Sequence, residues 1–204
     1  MVDDILKSAA GGFMICIGGV VYLSCDVKYI GAVLFSLGLF TICEFGLGLY
    51  TGRVGYLLLK DKEYWKEVAA AFFGNAAGTF LSGILVFLSR PAIAEKAGKL
   101  CAGKLSQSPL QTLILSLFCG ILMFIAVDTY NNGCTAAKYI AVFTAVPVFI
   151  LSGFEHSVAN MFYFFSSLTF SFKAVLYILI CAVGNALGAI SASKFKSNKK
   201  GDVK

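Results

Sequence analysis

The chain has 204 residues, 58% of them hydrophobic and only 14% charged, where a soluble domain carries roughly a quarter. Its mean hydropathy is +0.82 and its formal net charge +6. A soluble domain of ordinary composition is excluded, and the chain reads as a polytopic membrane protein in a lipid bilayer.

Apolar runs long enough to cross a hydrocarbon core, which takes about 20 helical residues, fall at roughly 7–25, 29–58, 67–89, 108–127, 138–165 and 172–194. Six transmembrane helices are predicted, in a single transmembrane domain over 1–204. The first is preceded by "MVDDILK", which has no basic n-region, and "SAAGGFMICIGG" offers no convincing cleavage site, so an uncleaved span is expected. The second is interrupted by "FGLGLYTGRVG" (45–55), with four glycines, a threonine and Arg53. The third contains "FFGNAAGTF" (72–80).

A connection over 90–107 leads to the fourth span. The fifth is interrupted by "LSGFEHSVAN" (151–160), which holds Glu155 and the single histidine, His156. The sixth contains "AVGNALGAI" (182–190). G-N-A-x-G thus closes each group of three spans. Three spans per half place the halves in opposite orientation, so an inverted 3+3 repeat is predicted, with halves of about 1–90 and 104–197. Irregular backbone at membrane depth is tolerated only where it is buried in protein or lines a polar cavity. Broken helices at corresponding places in two halves point to a permeation site. The direct role of Gly74/Gly78 and Gly184/Gly188 is expected to be close helix packing.

On a six-span topology Lys7, Lys60, Lys62, Lys66, Lys138, Lys194, Lys196, Lys199, Lys200 and Lys204 share one side, and Lys28, Arg90, Lys96, Lys99, Lys104 and Lys173 the other. Ten against six favours both termini in the cytoplasm. The tail "SKFKSNKKGDVK" is read as a flank beside anionic lipid rather than a nucleic-acid site. Seven cysteines without a CxxC, and one histidine, argue against a metal. Cys16, Cys43, Cys119 and Cys181 are expected as small apolar residues within spans, and Cys25, Cys101 and Cys134 as free thiols near span ends.

"GFEHSVANMF", with "LYTGR" and the two G-N-A-x-G spans, resembles the formate/nitrite transporter family across essentially all six spans. Members pass small monovalent anions such as formate, nitrite or hydrosulfide. The resemblance implies an aquaporin-like fold, one pore per protomer, a homopentamer and a prokaryotic inner membrane, with no cofactor and no catalytic residues. It assigns Leu49, Tyr50 and Thr51 to the second-span filter loop, His156 to the pore histidine and Asn160 to its partner one turn later. Phe35, Leu39 and Phe149 fall on the hydrophobic constrictions and Lys104 on the vestibule lysine. Gly48, Arg53 and Gly120 stand where the family commonly has Glu, Asn and Asn, and Tyr50 replaces Phe.

The residues themselves agree with that assignment. Phe149, Gly153, His156 and Asn160 recur at helical spacing, as do Phe35 and Leu39, which predicts apolar gates around a polar centre. Aromatics so spaced also occur in ordinary helix packing, and His156 is either a hydrogen-bonded bundle residue or a pore group; ionisable groups within spans are by default functional. Glu155 is expected to have a structural role, by pairing or by accepting backbone N–H groups. Arg53 either favours anions or anchors its loop, and Tyr50 adds a hydroxyl near the filter.

Taking a bare anion through a dry constriction costs tens of kcal/mol in the ideal case and several after relaxation. Protonating a weak acid of pKa near 4 at pH 7 costs about 4 kcal/mol. The neutral acid is the cheaper species at the narrowest point, so His156 is expected to supply or relay a proton while Lys104 attracts the anion. A membrane enzyme lacks supporting motifs, and an anchor subunit has no need of two broken helices. An aquaporin-like neutral-solute channel shares the architecture but would carry paired N-P-A boxes.

Overall fold

The structure, a computed structural model, describes residues 2–195, and every regular element among them is helical. Lys196, Lys199, Lys200 and Lys204 of the basic tail, and the end of the second half near 197, lie outside the described residues. Helices α1 (Val2–Ser24), α4 (Trp65–Ser89), α6 (Pro109–Asn132) and α9 (Phe172–Phe195) each belong to a segment long and apolar enough to cross a membrane. Their outward faces carry Phe73, Phe80, Leu88, Leu110 and Leu176, an apolar surface suited to acyl chains.

The second and fifth predicted spans are each two helices: α2 (Lys28–Glu44) with α3 (Tyr50–Arg53), and α7 (Thr135–Leu151) with α8 (Ser157–Ser166). Both breaks start with the same turn. Gly46 and Gly153 have φ of +63° and +68°, a region open to glycine and costly for other residues. Leu47 N–H donates to the Ile42 carbonyl at 2.8 Å and Gly46 N–H to Cys43 at 3.3 Å; Phe154 donates to Phe149 at 2.9 Å and Gly153 to Ile150 at 3.2 Å. Each pattern closes a helix end by satisfying two of its last carbonyls. Three residues further on, Leu49 and His156 cap the short helices that begin at Tyr50 and Ser157.

Pairing of the long helices follows the same correspondence. Helix α1 packs on α4 and α2, and α6 on α9 and α7. The glycines of G-N-A-x-G sit at the tightest points: a Cβ on Gly78 would lie 1.9 Å from the Ala9 carbonyl oxygen, and one on Gly188 1.9 Å from that of Leu117. Only a bare Cα allows that approach, as expected for small residues at four-residue spacing.

One element was not anticipated. Residues Pro91–Leu105 of the connection form α5, begun by Pro91 in its first turn, where proline's missing N–H costs nothing. Its buried residues Ile93, Ala94, Ala97 and Cys101 form one face, and it touches α1, α4, α8 and α9. At 15 residues it is shorter than the roughly 20 that a crossing takes, and its lysines and Glu95 make it less apolar than the spanning helices.

Candidate functional site: the junction of the two broken helices

Asn75 and Asn185, the asparagines of the two G-N-A-x-G strings, place the breaks. Asn75 Oδ1 accepts from Tyr50 N–H at 2.8 Å while its amide donates to the Ser8 and Gly48 carbonyls at 2.7 and 2.8 Å. Asn185 Oδ1 accepts from Ser157 N–H at 2.9 Å while its amide donates to the Ser116 and Glu155 carbonyls, both at 2.8 Å. Both asparagines are fully buried. Backbone groups that a broken helix leaves unpaired are thereby satisfied. Sequence reasoning missed this role because the flanking glycines accounted for the motif, although an amide inside an apolar span, twice, was the available signal.

Between the tethered breaks, Thr51 Oγ1 and His156 Nε2 meet at 2.8 Å, both buried. His156 is also the N-cap of α8, its Nδ1 accepting from Ala159 N–H at 3.1 Å. An Nδ1 that accepts leaves the neutral ring's proton on Nε2, so His156 donates towards Thr51. The ring stacks on Phe149 at 5.6 Å, and Phe149 meets Phe35 edge-to-face at 6.1 Å. The predicted continuous stripe from Phe149 to Asn160 is thus interrupted: α7 ends at Leu151, and the Gly153 turn, rather than helical spacing, brings Phe149 over His156.

Two cavities lie at opposite ends of α6. The first, about 440 Å³, reaches Leu49, Gly52 and Arg53 at one end and Asn131 and Asn132 at the other wall. The second, about 310 Å³, reaches Lys104, Gln107, Phe149, Glu155, His156 and Asn160. Phe35, Leu39, Leu49, Thr51 and His156 are all buried. Leu39 stands one turn along α2 from Phe35, towards Ile42 of the first cavity.

Lys104 is not a bare cation. Its Nζ lies 2.5 Å from Glu155 Oε2, with side chains only 16% and 2% exposed. Asn160 Nδ2 donates to the same oxygen at 2.9 Å, and Gln107 Nε2 to Oε1 at 3.0 Å. Gln107 Oε1 in turn accepts from Tyr177 and Thr112. Asn160 was expected as a partner of His156; its side chain instead serves Glu155 and Cys181, and only its backbone N–H reaches the His156 carbonyl. Gln107 carried no motif that would single it out. Tyr50's hydroxyl donates to the Ala182 carbonyl at 3.1 Å and its ring packs on Phe72, so it is held by α9. At Gly120 a Cβ would lie 2.1 Å from the Asn185 carbonyl oxygen, so an asparagine could not occupy this position without moving α9. All seven cysteines are free, Cys101 among the buried ones.

The profile described as Formate/nitrite transporter matches residues 2–194. The chain belongs to the formate/nitrite transporter family. With several apolar helices of spanning length, it is a multi-pass membrane protein of that family. It is 27% identical over 148 residues to formate channel FocA of Escherichia coli (strain K12), covering 66% of this chain and 52% of FocA. To formate channel FocB of the same strain it is 25% identical over 183 residues, 79% of this chain and 65% of FocB. The chain therefore spans about half to two thirds of these relatives' lengths. Among solved structures, a pentameric formate channel with formate bound superposes with a TM-score of 0.77 at 24% identity, over 95% of this chain and 92% of that one. An FNT family ion channel gives 0.83 at 20% identity, over 93% and 86%. The formate/nitrite transporter fold is thus shared over nearly the whole chain.

Proposed function

We propose that this protein is a channel or transporter for small monovalent anions of weak acids, formate first and nitrite or hydrosulfide as further cargo. The observation that carries this reading is the 2.8 Å contact of Thr51 with His156, set between two cavities at the ends of two broken helices. In this reading the chain forms one transmembrane unit of six crossings, with halves of about 1–90 and 104–197 inverted in the bilayer. Five copies assemble in a prokaryotic inner membrane, with both termini and the first cavity cytoplasmic. The formate-channel relatives and the pentameric solved neighbour support it.

Lys104 attracts the anion into the second cavity by sharing its ammonium protons between Glu155 and the newcomer. The slit of Phe35 and Phe149, with Leu39 and Leu49 beyond it, strips water, and Thr51 with His156 Nε2–H supplies replacement hydrogen bonds. Tyr50 braces the loop. Asn160 holds Glu155. As a donor alone, His156 gives channel-like anion flow. As a relay, its Nδ1 takes a proton from cavity water while the bond to Ala159 opens, and Nε2 yields its own to the anion.

Proteoliposome uptake of formate, nitrite and hydrosulfide, in wild type and His156→Ala, at about pH 5 and pH 7.5 where imidazole changes charge, tests the reading. Rapid wild-type uptake with an altered pH dependence in the variant supports it. Wild-type vesicles indistinguishable from empty ones would sink it.

A further inference from the structure

The two breaks correspond residue by residue. Gly46 and Gly153 share their left-handed turn, Leu49 and His156 both precede the short helix, and each pair is 107 positions apart. The same offset pairs Gly48 with Glu155 and Arg53 with Asn160. One break thus carries an acid and an amide, the other a glycine and a guanidinium. In the second cavity Glu155 neutralises Lys104 at 2.5 Å. The first has no carboxylate at the equivalent place, and Ser8 fills the space a Gly48 side chain would need.

Arg53 and Lys60 both line the first cavity, with Tyr56, Tyr64, Asn131 and Asn132, and no Asp or Glu is among its described lining residues. The nearby carboxylates lie outside that lining. Asp4, from α1, and Glu67, from α4, form long ion pairs with Arg53 Nη1 at 3.9 and 4.0 Å; they offset part of its charge, but lie beyond hydrogen-bond length and are weakened by their exposure to solvent. The Glu67 carbonyl accepts from Nη1 at 3.4 Å, and Asp128 accepts from Tyr56 and Asn132. The guanidinium has five N–H donors in a planar fork, so these contacts orient it while leaving donor capacity towards the cavity. Arg53 is two residues from Thr51.

We propose that Arg53, assisted by Lys60, forms an anion-binding station in the first cavity for a small monovalent carboxylate or oxyanion held by the guanidinium fork. The two mouths then differ in affinity, and entry from the Arg53 side saturates at lower anion concentration. This rests on the anion-channel reading above.

The test is initial formate flux through oriented proteoliposomes, measured from each side across a concentration series, for wild type, Arg53→Gln, Arg53→Lys and Lys60→Gln. Arg53→Gln is expected to raise the half-saturating concentration from its own side on the order of tenfold, leaving the opposite side unchanged. Arg53→Lys, with charge but no fork, falls between, and Lys60→Gln, on an exposed turn, shifts the same side by less. Equal changes from both sides, with reduced melting temperature in detergent, would make Arg53 a fastener of its turn and overturn the station. No change in any variant overturns it too while the channel reading stands. If wild type passes no anion, both fall together. Should Arg53→Gln fail to fold, the Lys60→Gln series alone decides by the same sidedness.

Discussion

Asn75 and Asn185 make the same three hydrogen bonds at the two breaks, each receiving one backbone N–H from a short helix and giving one proton to a carbonyl in the break and one to a carbonyl of a neighbouring long helix, α1 or α6. Alanine at either position leaves the buried N–H of Tyr50 or Ser157 without its partner, at about 1–3 kcal/mol, and takes one bond from each of two carbonyls. Asn75→Ala and Asn185→Ala should each lower the detergent melting temperature sharply. A variant melting like wild type would show that the breaks hold without their tether.

Gly78 and Gly188 invite a contrast with Gly103. A methyl group on the first two meets a carbonyl oxygen at 1.9 Å, whereas Gly103 has nothing within 4 Å. Gly78→Ala and Gly188→Ala should destabilise by about 1–3 kcal/mol through overpacking. Gly103→Ala, within α5, should stabilise by about 0.5–1 kcal/mol. Thermal unfolding of the three variants side by side checks both signs.

His156 holds a helix end and faces Thr51, and the two duties separate by substitution. Asparagine is a good N-cap and alanine a poor one, a difference of about 1 kcal/mol. His156→Asn should melt near wild type yet lose anion flux, while His156→Ala loses both. Flux retained by the asparagine variant would remove the imidazole from the permeation step.

Lys104 and Glu155 form a buried pair, and removing one partner strands the other's charge at about 3–5 kcal/mol. Lys104→Met and Glu155→Gln should each reduce yield and thermal stability, and the double variant should recover much of the stability without the flux. Equal flux and salt dependence in wild type and Lys104→Met would mean that the lysine does not attract the anion.

The breaks are legible in the sequence because glycine-rich, polar stretches interrupt spans too long for one crossing, and Gly46 and Gly153 are the residues that turn the chain. The repeated G-N-A-x-G is legible for its glycines. Which donor reaches which acceptor is not: spacing sets Asn160 one turn beyond His156, but the Glu155 carboxylate, a stronger acceptor than any imidazole nitrogen already capping a helix, takes its amide. Tyr50 reads as a filter hydroxyl until the Ala182 carbonyl is seen beside it. Helix α5 escapes a hydropathy scan because Lys96, Lys99 and Lys104 punctuate it, its burial being along one face only.

Helix α5 has no counterpart in the first three-helix group, yet it delivers Lys104 to the second cavity, with Gln107 just beyond its end. The second cavity is therefore partly furnished by the connector rather than only by the helices that carry the two breaks. Charge changes on the exposed face of α5 bear on that entrance alone, whereas a change at Lys104 also reaches Glu155, the chain neighbour of His156.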